Sequence, residues 1–145
     1  MIRKSDVFEL ILATCPAFAP AWEKHRAYWE GEEGGIYIDM SEFAHFVVNC
    51  YSRQEMAPVT AAFEVIERLL VEGDEEVRSA ASIGFLEDVR NTASWRPFGS
   101  DIFIQLLGPK SKQAWREIEV MWQGKRSLAD VVRAEVAEGK KKKKE

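Results

Sequence analysis

The sequence is poor in the side chains from which most catalytic and metal sites are built. Its 145 residues include two cysteines and two histidines, with no Gly-x-Ser-x-Gly elbow and no phosphate-binding loop. Cys15 and Cys50 lack the spacing of a zinc or redox motif, so we expect two reduced, buried thiols. We therefore predict a protein that is not an enzyme, with no cofactor and no small-molecule substrate.

One residue pair has the pattern of metal ligands. Glu42 and His45 form a Glu-x-x-His pair on one face of a predicted helix. Two-metal carboxylate bundles need two such pairs and two further carboxylates, and His25 has no glutamate three residues before it. We therefore predict no metal site. A metal-dependent bundle enzyme stays as a hypothesis that metal analysis of the purified protein would test.

The chain also has no hydrophobic run of the ~20 residues that a membrane span requires. Basic residues precede a short apolar stretch at the start, as in a secretion signal, but Asp6 and Glu9 interrupt that stretch. We therefore expect no membrane contact and a cytoplasmic location.

Basic residues are scarce over most of the chain. Residues 1–109 hold 18 acids and 9 bases, whereas residues 110–145 hold 6 acids and 11 bases. An acidic body opposes binding to the phosphates of nucleic acids and favours a basic protein partner. The lysines near the end could contact an anionic group, but such runs are more often solvated tails.

Apolar residues recur at helical spacing almost throughout, with short polar links between the runs. This pattern predicts an all-α protein of seven or eight helices, arranged as an irregular bundle or as stacked helical hairpins. We predict a single helical domain over residues 1–139. Its last helix would be capped by residues 127–130, and a disordered basic tail would follow over residues 140–145.

The glycine-rich stretch GEEGGIYID predicts a loop in the first half of the chain. We expect a short extended piece over residues 36–38, with Asp39 or Ser41 opening the next helix. Pro58 suits the start of the helix after that.

A fifth helix is predicted after Gly73, which would end the fourth. Asp74 is a good N-cap for it, and Glu75 and Glu76 lie in its first turn, where the helix dipole favours negative charge. The stretch AASIGFL that follows is apolar on nearly all sides. It predicts a helix at the centre of the fold, with a neighbouring element close to Gly84.

Glu87 and Asp88 fit this helix badly. We place them near its end, where the dipole repels anions, and Glu72 has the same position in the fourth helix. They are either surface charges or internal partners of Arg90 or Arg96, or they form an acidic face for a basic partner protein. Under the last interpretation, the partner-binding residues are Glu72, Asp74, Glu75, Glu76, Glu87 and Asp88.

The stretches FEVIERLLVEGDEEVRSAASIGFLEDVRN and LGPKSKQAWREIEVMW resemble a group of small all-α bacterial proteins. Many of these are the immunity proteins of polymorphic or contact-dependent toxin systems. The resemblance covers about residues 43–123, and its motifs are structural rather than catalytic. It implies a cytoplasmic immunity (antitoxin) protein that binds a cognate toxin domain, often a nuclease, and occludes its active site. No contact residues carry over, since immunity surfaces diverge with their toxins.

The acidic body suits this implication, because toxins that cleave nucleic acids have basic clefts that an acidic protein could occupy. The alternative is a helical protein–protein interaction adaptor with another cytoplasmic partner. A toxin gene beside the gene for this chain would favour the immunity protein.

Overall fold

Helices make up the regular structure of the computed structural model, which describes residues 1–32 and 34–124. The all-α prediction is confirmed. Three short 3₁₀ helices lie at Lys4–Asp6, Pro16–Phe18 and Asp101–Leu106. The first four α-helices are α1 (Val7–Thr14), α2 (Ala19–Tyr28), α3 (Ile36–Ser52) and α4 (Met56–Glu72).

The helix that follows, α5, has three consecutive parts. It begins as an α-helix at Glu75–Ser79, continues as a π-helix over Ala80–Glu87 and returns to α-helix at Asp88–Ser94. A π-helix widens the turn by making hydrogen bonds five residues apart, and such segments are rare. The sequence pattern did not predict this one.

The last described helix, α6, covers residues 109 to 124. The chain divides into two compact units, residues 1–115 and 116–145, and α6 contributes to both. The predicted cap at residues 127–130 and the basic tail at residues 140–145 lie outside the described residues. The single domain over residues 1–139 stays a prediction.

Aromatic side chains from α3, α4 and α5 fill the core of the first unit. The ring centroid of Phe85 lies 5.2 Å from that of Phe43 on α3 and 5.6 Å from that of Phe63 on α4. Phe18 extends the cluster towards α2, and Phe103 extends it on the Phe63 side. Each such ring stabilises the fold by roughly 1.5–3 kcal/mol through burial, so these five rings hold the three central helices together.

The start of α3 differs from the prediction. Residues 36–38 are helical rather than extended, so neither Asp39 nor Ser41 opens the helix. The reason is Gly35, whose φ of +88° turns the chain directly into the helix. Ile36 is buried there, which fixes the first turn against the core.

The ends of α4 follow the prediction more closely. The helix begins at Met56, two residues before the predicted start, and Pro58 still lies in the first turn, where no N–H is needed. Gly73 ends the helix as predicted. A Cβ atom at Gly73 would lie 2.4 Å from the carbonyl oxygen of Leu69, so a larger residue does not fit.

The α5 helix packs against both α3 and α4, as expected of a central helix. A Cβ atom on Gly84 would lie 3.0 Å from Cβ of Met40, so α3 approaches closely where the sequence predicted a neighbour. The apolar stretch AASIGFL is not covered on all sides, as a central helix would be, because Ile83 is 52% exposed. Within the described part of the chain, no helix is both long and apolar enough to span a membrane.

Candidate partner-binding site

The six predicted partner-binding acids fall into two separate groups, the first at the junction of α4 and α5. There the backbone of Ile2 makes a hydrogen bond to each neighbour of Gly73. The Ile2 N–H donates to the carbonyl of Glu72 (2.8 Å), and the Ile2 carbonyl accepts from the N–H of Asp74 (2.9 Å). The Asp74 carboxylate accepts a hydrogen bond from the Val77 N–H at 2.9 Å. Asp74 is therefore the N-cap of α5, as predicted.

Cations of the chain lie beside two other acids of this junction. Arg68 donates from Nε to Glu72 at 2.7 Å, one helical turn away. Nζ of Lys4 lies 3.8 Å from Oε1 of Glu76. Exposed pairs of this kind stabilise the fold by only about 0–1 kcal/mol, but they offset part of the local negative charge. Glu75 is exposed in the first turn of α5.

Glu87 and Asp88 lie in the interior of α5 rather than near its end. The helix continues to Ser94, so the prediction that the helix dipole repels these two carboxylates is wrong. Val89 and Ala93 are buried on this part of the helix, and their packing maintains a turn that the polar residues around them disfavour. Glu76 and Glu87, the nearest members of the two groups, are about three helical turns apart, so the two groups do not form one patch.

Asp88 connects α5 to α3. Its carboxylate accepts hydrogen bonds from the hydroxyl of Ser41 on α3 and from that of Thr92 on its own helix. Nε2 of His45, one turn beyond Ser41, lies 3.5 Å from Oδ1 of the same carboxylate. Asp88 is therefore partnered within the chain by two hydroxyls and a histidine, whereas the sequence suggested Arg90 or Arg96 for this role.

Arg96 makes a second connection between this region and α3. Its guanidinium donates to Oδ1 of Asn49 at 2.8 Å and to the hydroxyl of Ser52 at 3.2 Å. These neutral acceptors replace the carboxylate partner that the sequence suggested for Arg96. The contacts of Asp88 and of Arg96 both fix the position of this region relative to α3.

The contact between α3 and α5 shifts the pKa of both its ionisable members. Burial alone would raise the pKa of the Asp88 carboxyl, but hydrogen bonds from His45, Ser41 and Thr92 outweigh burial and lower it. The hydrogen bond to Asp88 raises the pKa of His45, against a smaller opposing effect of burial. Both shifts favour the ion pair of charged histidine and carboxylate.

The other histidine is buried between α2 and α3. Nε2 of His25 lies 2.7 Å from Oδ1 of Asp39, and Nδ1 lies 3.8 Å from Oε2 of Glu42. The ring of Trp22 stacks on the imidazole. Within the described residues, no three His, Cys, Asp or Glu side chains are arranged to hold a metal ion.

A cleft of about 340 Å³ opens beside Glu42, between α2 and α3. Tyr28 forms part of its wall and is 82% exposed. The cleft is lined by Lys24, His25, Tyr28, Trp29, Ile38, Ser41, Glu42 and His45.

A larger cleft, of about 470 Å³, lies on the Asp39 side of His25. Its lining includes two cations, Lys4 and Arg26, together with the carboxylates of Glu30 and Asp39. These charges balance, and the Asp39 carboxylate already contacts His25.

The exposed sides of α3 and α5 are linked at two points. Tyr37 is 44% exposed and lies against Gly84, while Asp88 contacts His45 further along the same two helices. Exposed hydrophobic patches mark interaction surfaces, and Tyr37, Ile38 and Ile83 are all exposed on these two helices. We call this surface the α3–α5 face, and its residues are Tyr37, Ile38, Glu42, His45, Ile83, Glu87 and Asp88.

The arrangement around Asp88 suits binding better than nucleophilic catalysis. A serine nucleophile needs a base within hydrogen-bonding distance of its hydroxyl, and that base needs a third group to orient it. Here Asp88 lies between Ser41 and His45 and contacts both, so the histidine is not the partner of the hydroxyl. The contacts fix side-chain positions on a surface.

Sequence reasoning missed the hydrophobic members of this face. Tyr37 and Ile38 lie off the buried stripe of α3, which is the signal that could have identified them, but the extended interpretation of residues 36–38 concealed it. Ile83 was hidden because the stretch around it is apolar on nearly all sides. An exposed position is not distinguishable from a buried one in such a stretch.

Comparison with known proteins gives one match. No curated protein and no solved structure matches the chain. A family model described as a domain of unknown function, DUF7674, matches residues 8–123, which include the whole α3–α5 face. Since this match spans most of the sequence, the chain belongs to the DUF7674 family.

Proposed function

We propose that this protein is an immunity (antitoxin) protein that acts by binding in the cytoplasm. It binds a cognate, basic toxin domain such as a nuclease and occludes the active site of that domain, with no catalytic step of its own. The proposal rests on the sequence resemblance and on one structural observation. That observation is the α3–α5 face, where exposed hydrophobic side chains lie among carboxylates.

The hydrophobic side chains of this face would provide most of the affinity. Aromatic and aliphatic side chains that become buried at the centre of an interface dominate its binding energy and slow its dissociation. Tyr37, Ile38 and Ile83 lie on the face and are all exposed in the free protein. Asp88 joins their two helices, so little ordering is needed when a partner binds.

The carboxylates would select a basic partner and speed its approach. Glu42 and Glu87 lie on the face itself, beside the hydrophobic side chains. The acids of the α4–α5 junction are too far along α5 to share a small contact with Glu87, but they add to the negative field of the molecule. Charge of this kind raises the association rate and orients the partner more than it raises affinity.

The test is co-expression with the product of the neighbouring gene, followed by a toxicity rescue assay and a binding measurement on the purified pair. We expect the wild-type chain to rescue growth and to form a complex. We expect Ile83→Arg to weaken the complex by tenfold or more. Val71→Arg on α4 is the matched control, because Val71 is also an exposed aliphatic residue (60%) and lies outside the face.

A second pair of variants tests the role of charge. Glu87→Lys should slow association and reduce its salt dependence, whereas Glu75→Lys at the far group should have a smaller effect. Rescue and binding that are equal for Ile83→Arg and the wild type would contradict the proposed face. Binding to the neighbouring product without any toxicity to rescue would favour the adaptor instead.

A further inference from the structure

We propose that the cleft beside Glu42 receives an arginine side chain of the basic partner. This inference deepens the proposed function and rests on it for the identity of the partner. The cleft has the three properties that guanidinium binding needs, namely an aromatic wall, an accessible carboxylate and a suitable size.

Tyr28 and Trp29 form the aromatic wall. Their ring centroids lie 5.5 Å apart and the ring planes meet at 77°, so the two rings make a corner. Tyr28 is highly exposed, which leaves ring surface open to a ligand. A planar cation is attracted to such a surface within about 6 Å of the ring centroid.

Glu42 supplies the carboxylate. Its side chain is partly exposed, and its Oε2 lies 3.8 Å from Nδ1 of His25, which is too long for a hydrogen bond. The carboxylate therefore has acceptor capacity for a new donor. Lys24 and His45 are the basic side chains of the cleft, and the charge of His45 is offset by its contact with Asp88.

Guanidinium fits these features better than other charged groups. It stacks on aromatic rings, is only weakly hydrated and presents two parallel N–H groups to a carboxylate. An ammonium group is compact and strongly hydrated, so it gains less from the aromatic corner, and an anion would be repelled by Glu42. The volume of about 340 Å³ is near the lower end of the range of roughly 300–1,000 Å³ for ligand sites, which suits one side chain.

The first experiment uses small probes on the full chain. N-acetyl-arginine methylamide is titrated in the millimolar range while the indole N–H of Trp29 is followed by nuclear magnetic resonance. The lysine and citrulline analogues serve as the charged and the neutral comparisons. We expect a saturable shift with the arginine probe, a weaker one with lysine and none with citrulline.

Variants then locate the effect. Glu42→Gln should weaken binding of the arginine probe roughly tenfold or to below detection, since a hydrogen-bonded charge is lost. Glu64→Gln, at an exposed position on α4, is the matched control and should bind as the wild type does. Tyr28→Ala gives an independent test and should also weaken binding of the arginine probe, and because the side chain is 82% exposed its removal should cost little stability. Equal shifts with arginine and citrulline, or full binding by Glu42→Gln, would overturn the inference.

The two proposals fail separately. If Glu42→Gln and Tyr28→Ala both bind and neutralise the neighbouring toxin as the wild type does, the arginine site is wrong and the immunity function stands. If the chain binds the arginine probe at Glu42 but protects against no neighbouring toxin, the site stands and the immunity function is wrong.

Discussion

The start of α5 and its middle are held by contacts of different range. At the start, Asp74 accepts a hydrogen bond from Val77, three residues later. In the middle, Asp88 accepts one from Ser41, 47 residues earlier, and Gly84 lies against Met40. Both regions contain acids that look alike in the sequence. The difference shows that the same residue type caps a helix locally in one place and joins two helices in the other.

The two regions also differ in backbone geometry. The first turns are regular α-helix, whereas the middle is a π-helix over Ala80–Glu87. Segments of this kind occur often at functional sites, because they change which side chains face outward. Here the π segment carries Ile83 and Glu87 on the exposed face and buries Phe85 in the core. The candidate binding surface therefore coincides with the irregular part of the helix.

The largest expected effect comes from filling the close contact in the middle of α5. Gly84→Val would place branched carbon atoms at a position where even a Cβ would lie 3.0 Å from Cβ of Met40, so α3 and α5 must separate. Overpacking of this kind typically costs about 1–3 kcal/mol of unfolding free energy. Urea denaturation followed by circular dichroism measures the loss.

Two further variants calibrate that result. Gly84→Ala should cost less, because its steric strain is opposed by a gain in helix propensity of up to about 1 kcal/mol. Ile83→Ala changes the neighbouring exposed position and should have the smallest effect of the three. A Gly84→Val protein as stable as the wild type would show that the two helices are not tightly packed at this point.

A smaller loss of unfolding free energy is expected when the hydrogen bonds through which Asp88 connects α3 and α5 are removed. Asp88→Ala leaves the hydroxyls of Ser41 and Thr92 and the imidazole of His45 without their acceptor. Since the site is only partly buried, we expect a loss of roughly 1–2 kcal/mol in unfolding free energy. Asp88→Asn keeps an acceptor oxygen and should lose less. An equal loss for both variants would mean that the charge, rather than the hydrogen bonds, carries the effect.

Removing the cap at the start of α5 should have a comparable or smaller effect. Asp74→Ala removes the hydrogen bond to the Val77 N–H and the negative charge at the helix start, at a typical cost of about 1 kcal/mol. Asp74→Ser keeps a capping oxygen and should recover most of the stability. Hydrogen exchange should show faster opening near Val77 in the alanine variant, with little change around Asp88.

The same contrast explains which features could be predicted from the sequence. The cap at Asp74 and the end of α4 at Gly73 depend on residues within one turn, so local patterns identify them. The continuation of α5 to Ser94 depends on tertiary packing, because Asn91, Thr92 and Ser94 are poor helix formers. The role of Asp88 depends on Ser41, which no local pattern connects to it. The extended interpretation of residues 36–38 failed because the φ of Gly35 is not visible in its neighbours.

The smallest expected effect is a dependence of stability on pH at the contact between His45 and Asp88. The pKa of His45 is raised from its ordinary value of 6.5. The stability that the charged histidine adds to the fold is therefore fully present below pH 6.5 and is lost as pH rises through the folded pKa. The pKa of Asp88 is lowered from 3.8. The stability that the charged carboxylate adds to the fold is therefore present above pH 3.8 and is lost as pH falls through the folded pKa. The contact should therefore stabilise most between about pH 4 and 6.5.

A comparison of the wild type with His45→Gln isolates this contribution from the effects of the other charged groups near His45, which include Glu42 and Arg96. We expect the difference in unfolding free energy between the two proteins to be larger at about pH 5.5 than at about pH 8. Salt should reduce it, because half of the His45 side chain is exposed and its charge is screened. A difference that grows with pH would mean that the histidine is held neutral. Asp88 would then connect α3 and α5 through its hydroxyl partners alone.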